Sequence, residues 1–214
     1  MDVFWWLVDI MSKILGFCYD ATIALGYANY GLAIIFLTVG IKVLMYPLTV
    51  KQIKSMRAFQ EIQPKMKQLQ EKYKGQPEKL NNELKKLYAD SGVNPLAGCL
   101  PILAQMPILI AIFFAIRDYN YLQVPPSFLW LADLSLADTT FILPVLAAVT
   151  TFVQQKQTMA SNPTASNPVL MYGMPIIIGW ISLTFPSGLV LYWTTSNMVQ
   201  IIQQWYMYRN GAAA

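Results

Sequence analysis

Residues 30–50 read YGLAIIFLTVGIKVLMYPLTV, an apolar run with a single charge, Lys42. About 20 such residues are needed for a helix to cross a hydrocarbon core about 30 Å thick, so this stretch predicts a membrane span. The same reading extends outward along the chain. The 214 residues are 56% hydrophobic and 12% charged, where soluble domains carry about 25% charged residues. A charge-free run between Asp90 and Arg117 predicts a second span from Asn94 to Ile116, opened by the helix-start pair Asn94-Pro95. A third, shorter span is predicted near Thr139 to Gln155. From Gln157 to Tyr208 the chain again carries no charge, and Phe185-Pro-Ser-Gly188 divides it into a fourth span from about Val169 and a fifth from about Leu189 to Tyr208. The fold class expected is all-α: five transmembrane helices, an N-terminal interfacial amphipathic helix and a cytoplasmic helical hairpin.

The interfacial helix is expected within residues 1–29. Asp2, Asp9, Lys13, Gly16 and Asp20 fall on one helical face, with Phe4, Trp5, Leu7, Ile14 and Leu15 among the rest, a pattern that suits a helix lying in the headgroup region. A crossing there would bring three carboxylates and a lysine into the bilayer, each costing about 2.5–3.5 kcal/mol near its centre. Residues 30–50 form the first span and 51–93 the hairpin. Residues 94–214 supply the remaining spans and complete one core domain with 30–50.

Ten of the fifteen basic residues lie between Lys51 and Asp90. In this segment Ile53, Met56, Phe59, Ile62, Met66, Leu69 and Tyr73 recur every three or four residues, Gly75-Gln-Pro77 turns the chain, and Leu80, Leu84 and Leu87 continue on a second helix. Pro64 should bend or weaken the first. Together with Lys156 and Arg209 the hairpin holds twelve basic residues, against Lys13 and Arg117 on the other side of the spans. By the positive-inside rule the N-terminus is outside and the C-terminus cytoplasmic. The net charge of +4 is accounted for by orientation and anionic lipid rather than nucleic acid. Neither a large extracytoplasmic domain nor a cleavable signal is expected.

The chain has no histidine, which excludes histidine-dependent zinc sites and Ser-His-Asp catalysis. Cys18 and Cys99 lack metal or redox spacing and read as packing residues. No cofactor is expected. Polar residues in three spans form stripes: Gly31, Thr38, Lys42, Met45 and Thr49; then Asn94, Gly98, Pro101 and Gln105; then Trp193, Asn197, Gln200 and Gln204. Hydrocarbon penalises polar groups unless they meet protein or water, so the stripes predict a shared wet surface. Interhelical hydrogen bonds, worth about 0.6 kcal/mol each, could absorb Thr38, Asn197 and the glutamines. Lys42 is different, because no span contains an acidic residue and Lys42 stands eight residues before Val50, about 12 Å from the helix end. Snorkelling to the interface is the structural alternative. The candidate site is therefore Lys42, Thr38, Gln105, Trp193, Asn197 and Gln200, with Met56, Phe59, Met66 and Leu69 of the hairpin as candidate recruiting residues.

In order and spacing these features resemble the YidC/Oxa/Alb insertases, bacterial YidC type. The resemblance rests on Lys42 with Pro47-Leu48, Gln63-Pro64-Lys65-Met66, Asn94-Pro-Leu-Ala-Gly-Cys-Leu-Pro101 with Gln105-Met-Pro107, Leu143-Pro144, Gln154-Gln155-Lys156, Met174-Pro175, and Pro186-Ser-Gly-Leu-Val-Leu-Tyr-Trp193 with Asn197 and Gln203-Gln204. It implies a bacterial inner membrane insertase and chaperone, not an enzyme, with a hydrophilic groove open to cytoplasm and lipid. The implied partners are nascent membrane proteins and membrane lipids, with the ribosome and the Sec translocon as further candidates. Where this chain has Lys42 the family usually carries arginine, which keeps the charge but loses the planar fork. No long basic C-terminal tail is expected, in keeping with a compact bacterial form. A small-solute transporter using Lys42 as an anion site lacks the repeated halves that many transporters show. An intramembrane aspartyl enzyme lacks its dyad.

Overall fold

The computed structural model describes residues 2–92, 100–117, 126–159 and 168–209. Among the described residues eight helices follow one another: α1 (Asp2–Ala24), α2 (Tyr30–Leu44), α3 (Tyr46–Lys72), α4 (Pro77–Asp90), α5 (Leu100–Arg117), α6 (Ile142–Met159), α7 (Pro168–Ser182) and α8 (Ser187–Arg209). Among the described residues there is no strand, only an isolated bridge between Phe128 and Leu131. The all-α expectation therefore holds. Asn94, Gly98 and Cys99 lie outside the described residues.

α8 is the axis of the bundle and packs on α2, α5 and α6, while α1 lies against α2 and α5 and α7 against α6. Its first six residues, Ser187 to Tyr192, are all buried, so this end is surrounded on every side; further along only one face is covered. A buried helix start leaves orphan N–H groups. The 126–141 loop supplies their acceptors, with Ser187 N–H donating to Leu136 O at 2.7 Å and Gly188 N–H to Leu134 O at 2.8 Å. The same loop receives the Asn29 side-chain amide at Ser127 O (3.1 Å), while Asn29 Oδ1 caps α2 by accepting from Leu32 N–H. Asp138 starts α6, accepting from Thr140 N–H, Thr140 Oγ1–H and Leu143 N–H. Burial alone would raise its pKa, but these hydrogen bonds outweigh that effect and hold the carboxyl below its ordinary 3.8.

In α1 the buried residues Val8, Met11, Leu15, Cys18 and Thr22 repeat every three or four positions, the stripe of an amphipathic helix. The ion pair Lys13–Asp9 lies on its exposed side. Large apolar residues also face outward elsewhere, among them Ile176 and Trp180 of α7, Val145 and Val149 of α6, and Ile202 and Trp205 of α8. Exposed apolar surface on this scale marks an interface with something other than water.

The helix expected over residues 30–50 is broken. α2 ends at Leu44, and α3 sets off from Tyr46 at 59° to it. Pro47 explains the break: it has no N–H for the Val43 carbonyl, and its ring would clash with that carbonyl in a continuing helix. Among the described residues no single helix is long and apolar enough to cross a membrane, but the bent pair Tyr30–Leu44 and Tyr46–Phe59 is by length and composition. α3 runs through Pro64 to Lys72 without interruption, then turns at Gly75, whose φ of 87° favours glycine, into α4. Phe59, Ile62 and Met66 of α3 pack with Leu84, Leu87 and Tyr88 of α4 in a small core of their own.

Candidate functional site

The bend at Met45 folds the start of α3 back beside Lys42. Lys42, Met45, Leu48, Thr49 and Gln52 then meet Gln105 of α5 and Gln200 of α8 around a cavity of about 20 Å³. That is room for about one water molecule, so the described residues form a narrow recess. Lys42 is 7% exposed and donates from Nζ to Gln200 Oε1 at 2.9 Å. One turn of α8 further on, Gln203 Nε2 donates to the Lys42 carbonyl at 3.2 Å. Two glutamines of α8 thus hold Lys42 at its side chain and its backbone. On the opposite wall Gln105 Nε2 donates to Tyr192 Oη at 2.5 Å.

The other expected site residues go elsewhere. Thr38 is fully buried and its hydroxyl donates to Ile34 O at 2.6 Å within its own helix. Trp193 Nε1 and Asn197 Nδ2 both donate to Thr151 Oγ1, each at 3.0 Å, which fastens α8 to α6. Gly31 lies under the Phe128 ring. Of the six candidate residues, three (Lys42, Gln105 and Gln200) share the recess. In the hairpin Phe59 and Met66 are buried in its own core, 7% and 1% exposed, and Leu69 is half-buried; the side chain of Met56 lies outside the described residues. Sequence reasoning missed Leu48, Gln52, Thr151, Tyr192 and Gln203. Gln52 had a signal, since it continues the Lys42, Met45, Thr49 stripe by three residues.

The family described as 60Kd inner membrane protein matches residues 22–213. Relatives named membrane protein insertase YidC are 43% identical in Geobacter sulfurreducens, over 87% of this chain and 35% of that protein. The relative in Polynucleobacter asymbioticus is 39% identical, over 95% of this chain and 34% of that protein. The chain belongs to the YidC family. It spans about a third of the length of these curated YidC relatives. A crystal structure of an active YidC insertase with its first transmembrane domain resolved superposes with a TM-score of 0.69 at 26% identity, covering 94% of this chain and 47% of that one. The helical arrangement is thus that of a YidC protein, and the resemblance read from Lys42 through Gln204 is to its own family.

Proposed function

We propose that this chain is the membrane-embedded core of an insertase, which receives hydrophilic parts of incoming membrane proteins at the Lys42 recess and hands their apolar segments to lipid. The observation that carries this reading is a buried ammonium whose one acceptor among the described residues is a neutral amide, at the junction of α2, α3, α5 and α8. A charge exposed to the bilayer centre costs about 2.5–3.5 kcal/mol. A polar recess reduces that penalty over part of the crossing, and Lys42 attracts acidic residues in the passing segment. Partitioning of about 20 apolar residues then drives the final step. In this reading α2, α5, α6, α7 and α8 are the five spans. α2 and α7 have 15 residues each and rise about 22 Å, so flanking segments or local thinning of the bilayer must make up the difference to about 30 Å. α1 lies in the outer interface, and the groove opens to cytoplasm and lipid. The partners are nascent membrane proteins and lipid, with the ribosome and the Sec translocon as further candidates.

The test is rescue of cells depleted of their own insertase, using single-span substrates with acidic or neutral translocated tails. Lys42→Arg should keep activity, Lys42→Glu should do the most harm, and Lys42→Ala should slow substrates in proportion to their acidic residues. Equal loss for acidic and neutral tails would remove the electrostatic step.

A further inference from the structure

Among the described residues Lys42 has no counterion. Its ammonium has three donor hydrogens and one acceptor among the described residues, Gln200 Oε1. No acidic residue occurs between Asp20 and Glu61, between Asp90 and Asp118, or after Asp138, so α2, α5, α6, α7 and α8 contribute none. Glu61 is nine residues along α3 from Gln52 and exposed, about 13 Å away by helical rise. A cation removed from water without a partner is penalised by several kcal/mol. Beside it lies a cavity of about 20 Å³ with the amides of Gln52, Gln105 and Gln200 and no carboxylate in its lining.

We propose that this recess binds a halide-sized inorganic anion as the counterion of Lys42, and that an acidic side chain of an incoming segment displaces it. The displacement half rests on the insertase reading; the anion site itself does not. The size limit follows from the cavity, which admits one water-sized species. The specificity follows from an ammonium with donor hydrogens beyond the one given to Gln200 and from a lining of neutral and cationic residues without competing negative charge. Exchange of one anion for another keeps the buried charge paired at every stage. An acidic tail therefore meets a site already organised for negative charge.

The probe is chloride, followed by chlorine NMR line broadening on the full chain in nanodiscs of zwitterionic lipid at fixed ionic strength. Excess broadening is expected for the unmodified protein, retained by Lys42→Arg, lost in Lys42→Gln, and reversed by bromide, a halide of similar size. Lys65→Gln, on the hairpin surface, should retain it. Broadening that persists in a folded Lys42→Gln protein overturns the site. If that variant does not fold, the unmodified protein decides: no excess broadening, or broadening that bromide does not reverse, overturns it equally. Insertion is then measured with chloride replaced by gluconate, which is too large for the cavity. Acidic tails should insert faster in gluconate and neutral tails at an unchanged rate; equal rates for acidic tails overturn the displacement. Halide binding without insertion would remove the insertase reading and leave the site, whereas insertion without halide binding would do the reverse.

Discussion

A Cβ added at Gly31 would clash with Cβ, Cγ and Cδ2 of Phe128, so this position is where the 126–141 loop seats on α2. Overpacking a filled site costs about 1–3 kcal/mol, and Gly31→Ala should destabilise the protein by that amount in thermal unfolding. Phe128→Ala in the same chain should recover part of the loss, because the clash and its relief are coupled. Costs that simply add would mean the ring is not over Gly31 in the membrane. The same residue shows what a sequence stripe conveys. Period identifies a face but not what covers it, and the face of Gly31, Thr38 and Lys42 is covered by an aromatic ring, by its own helix and by a polar recess in turn. Lys42 was legible because its charge has no acidic partner anywhere in the apolar segments. The destination of Trp193 and Asn197, Thr151 on α6, was not, since nothing along one helix specifies its neighbour.

Among the elements the hairpin is the most separable. Phe59, Ile62 and Met66 close on Leu84, Leu87 and Tyr88, while the start of α3 belongs to the bundle through Ile53, buried against Met207 of α8. The boundary between the two therefore falls between Ile53 and Phe59. A recruiting role fits a unit with its own core and an exposed basic surface that includes Lys65, Lys67 and Lys85. The residues first expected to meet a partner, Phe59 and Met66, instead hold the unit together. Replacing residues 59–88 with a short Gly/Ser linker should impair insertion while leaving the remaining helices folded by circular dichroism and thermal unfolding. Normal insertion by the shortened protein would reduce the hairpin to a topology signal. Helix positions were legible from periodicity and from Gly75-Gln-Pro77. The break at Met45 was not, because apolar residues continue through it and residues 30–50 were expected to form one unbroken span.

At the scale of the whole molecule, the distribution of charge predicts an orientation. The hairpin, Lys156 and Arg209 carry twelve basic residues, and the segments on the other side of the proposed spans carry two, with six of the eleven acids. Basic residues in short loops are retained on the cytoplasmic side, and the 126–141 loop that covers the start of α8 would then be the outer closure of the bundle. Its hydrogen bonds to Ser187 and Gly188 seal the end opposite Lys42, as expected if the recess is open only inward. Single cysteines test this in a background with Cys18 and Cys99 replaced by serine. Gln76 at the hairpin turn is exposed and its side chain makes no cap hydrogen bond, and Leu136 in the loop is 63% exposed, so neither substitution removes a charge or a buried contact. In intact cells a membrane-impermeant thiol reagent should label Leu136→Cys and leave Gln76→Cys untouched until the membrane is opened. External labelling at Gln76→Cys would invert the molecule, place the Lys42 recess on the wrong side for a chain arriving from the cytoplasm, and overturn the insertase mechanism together with the topology.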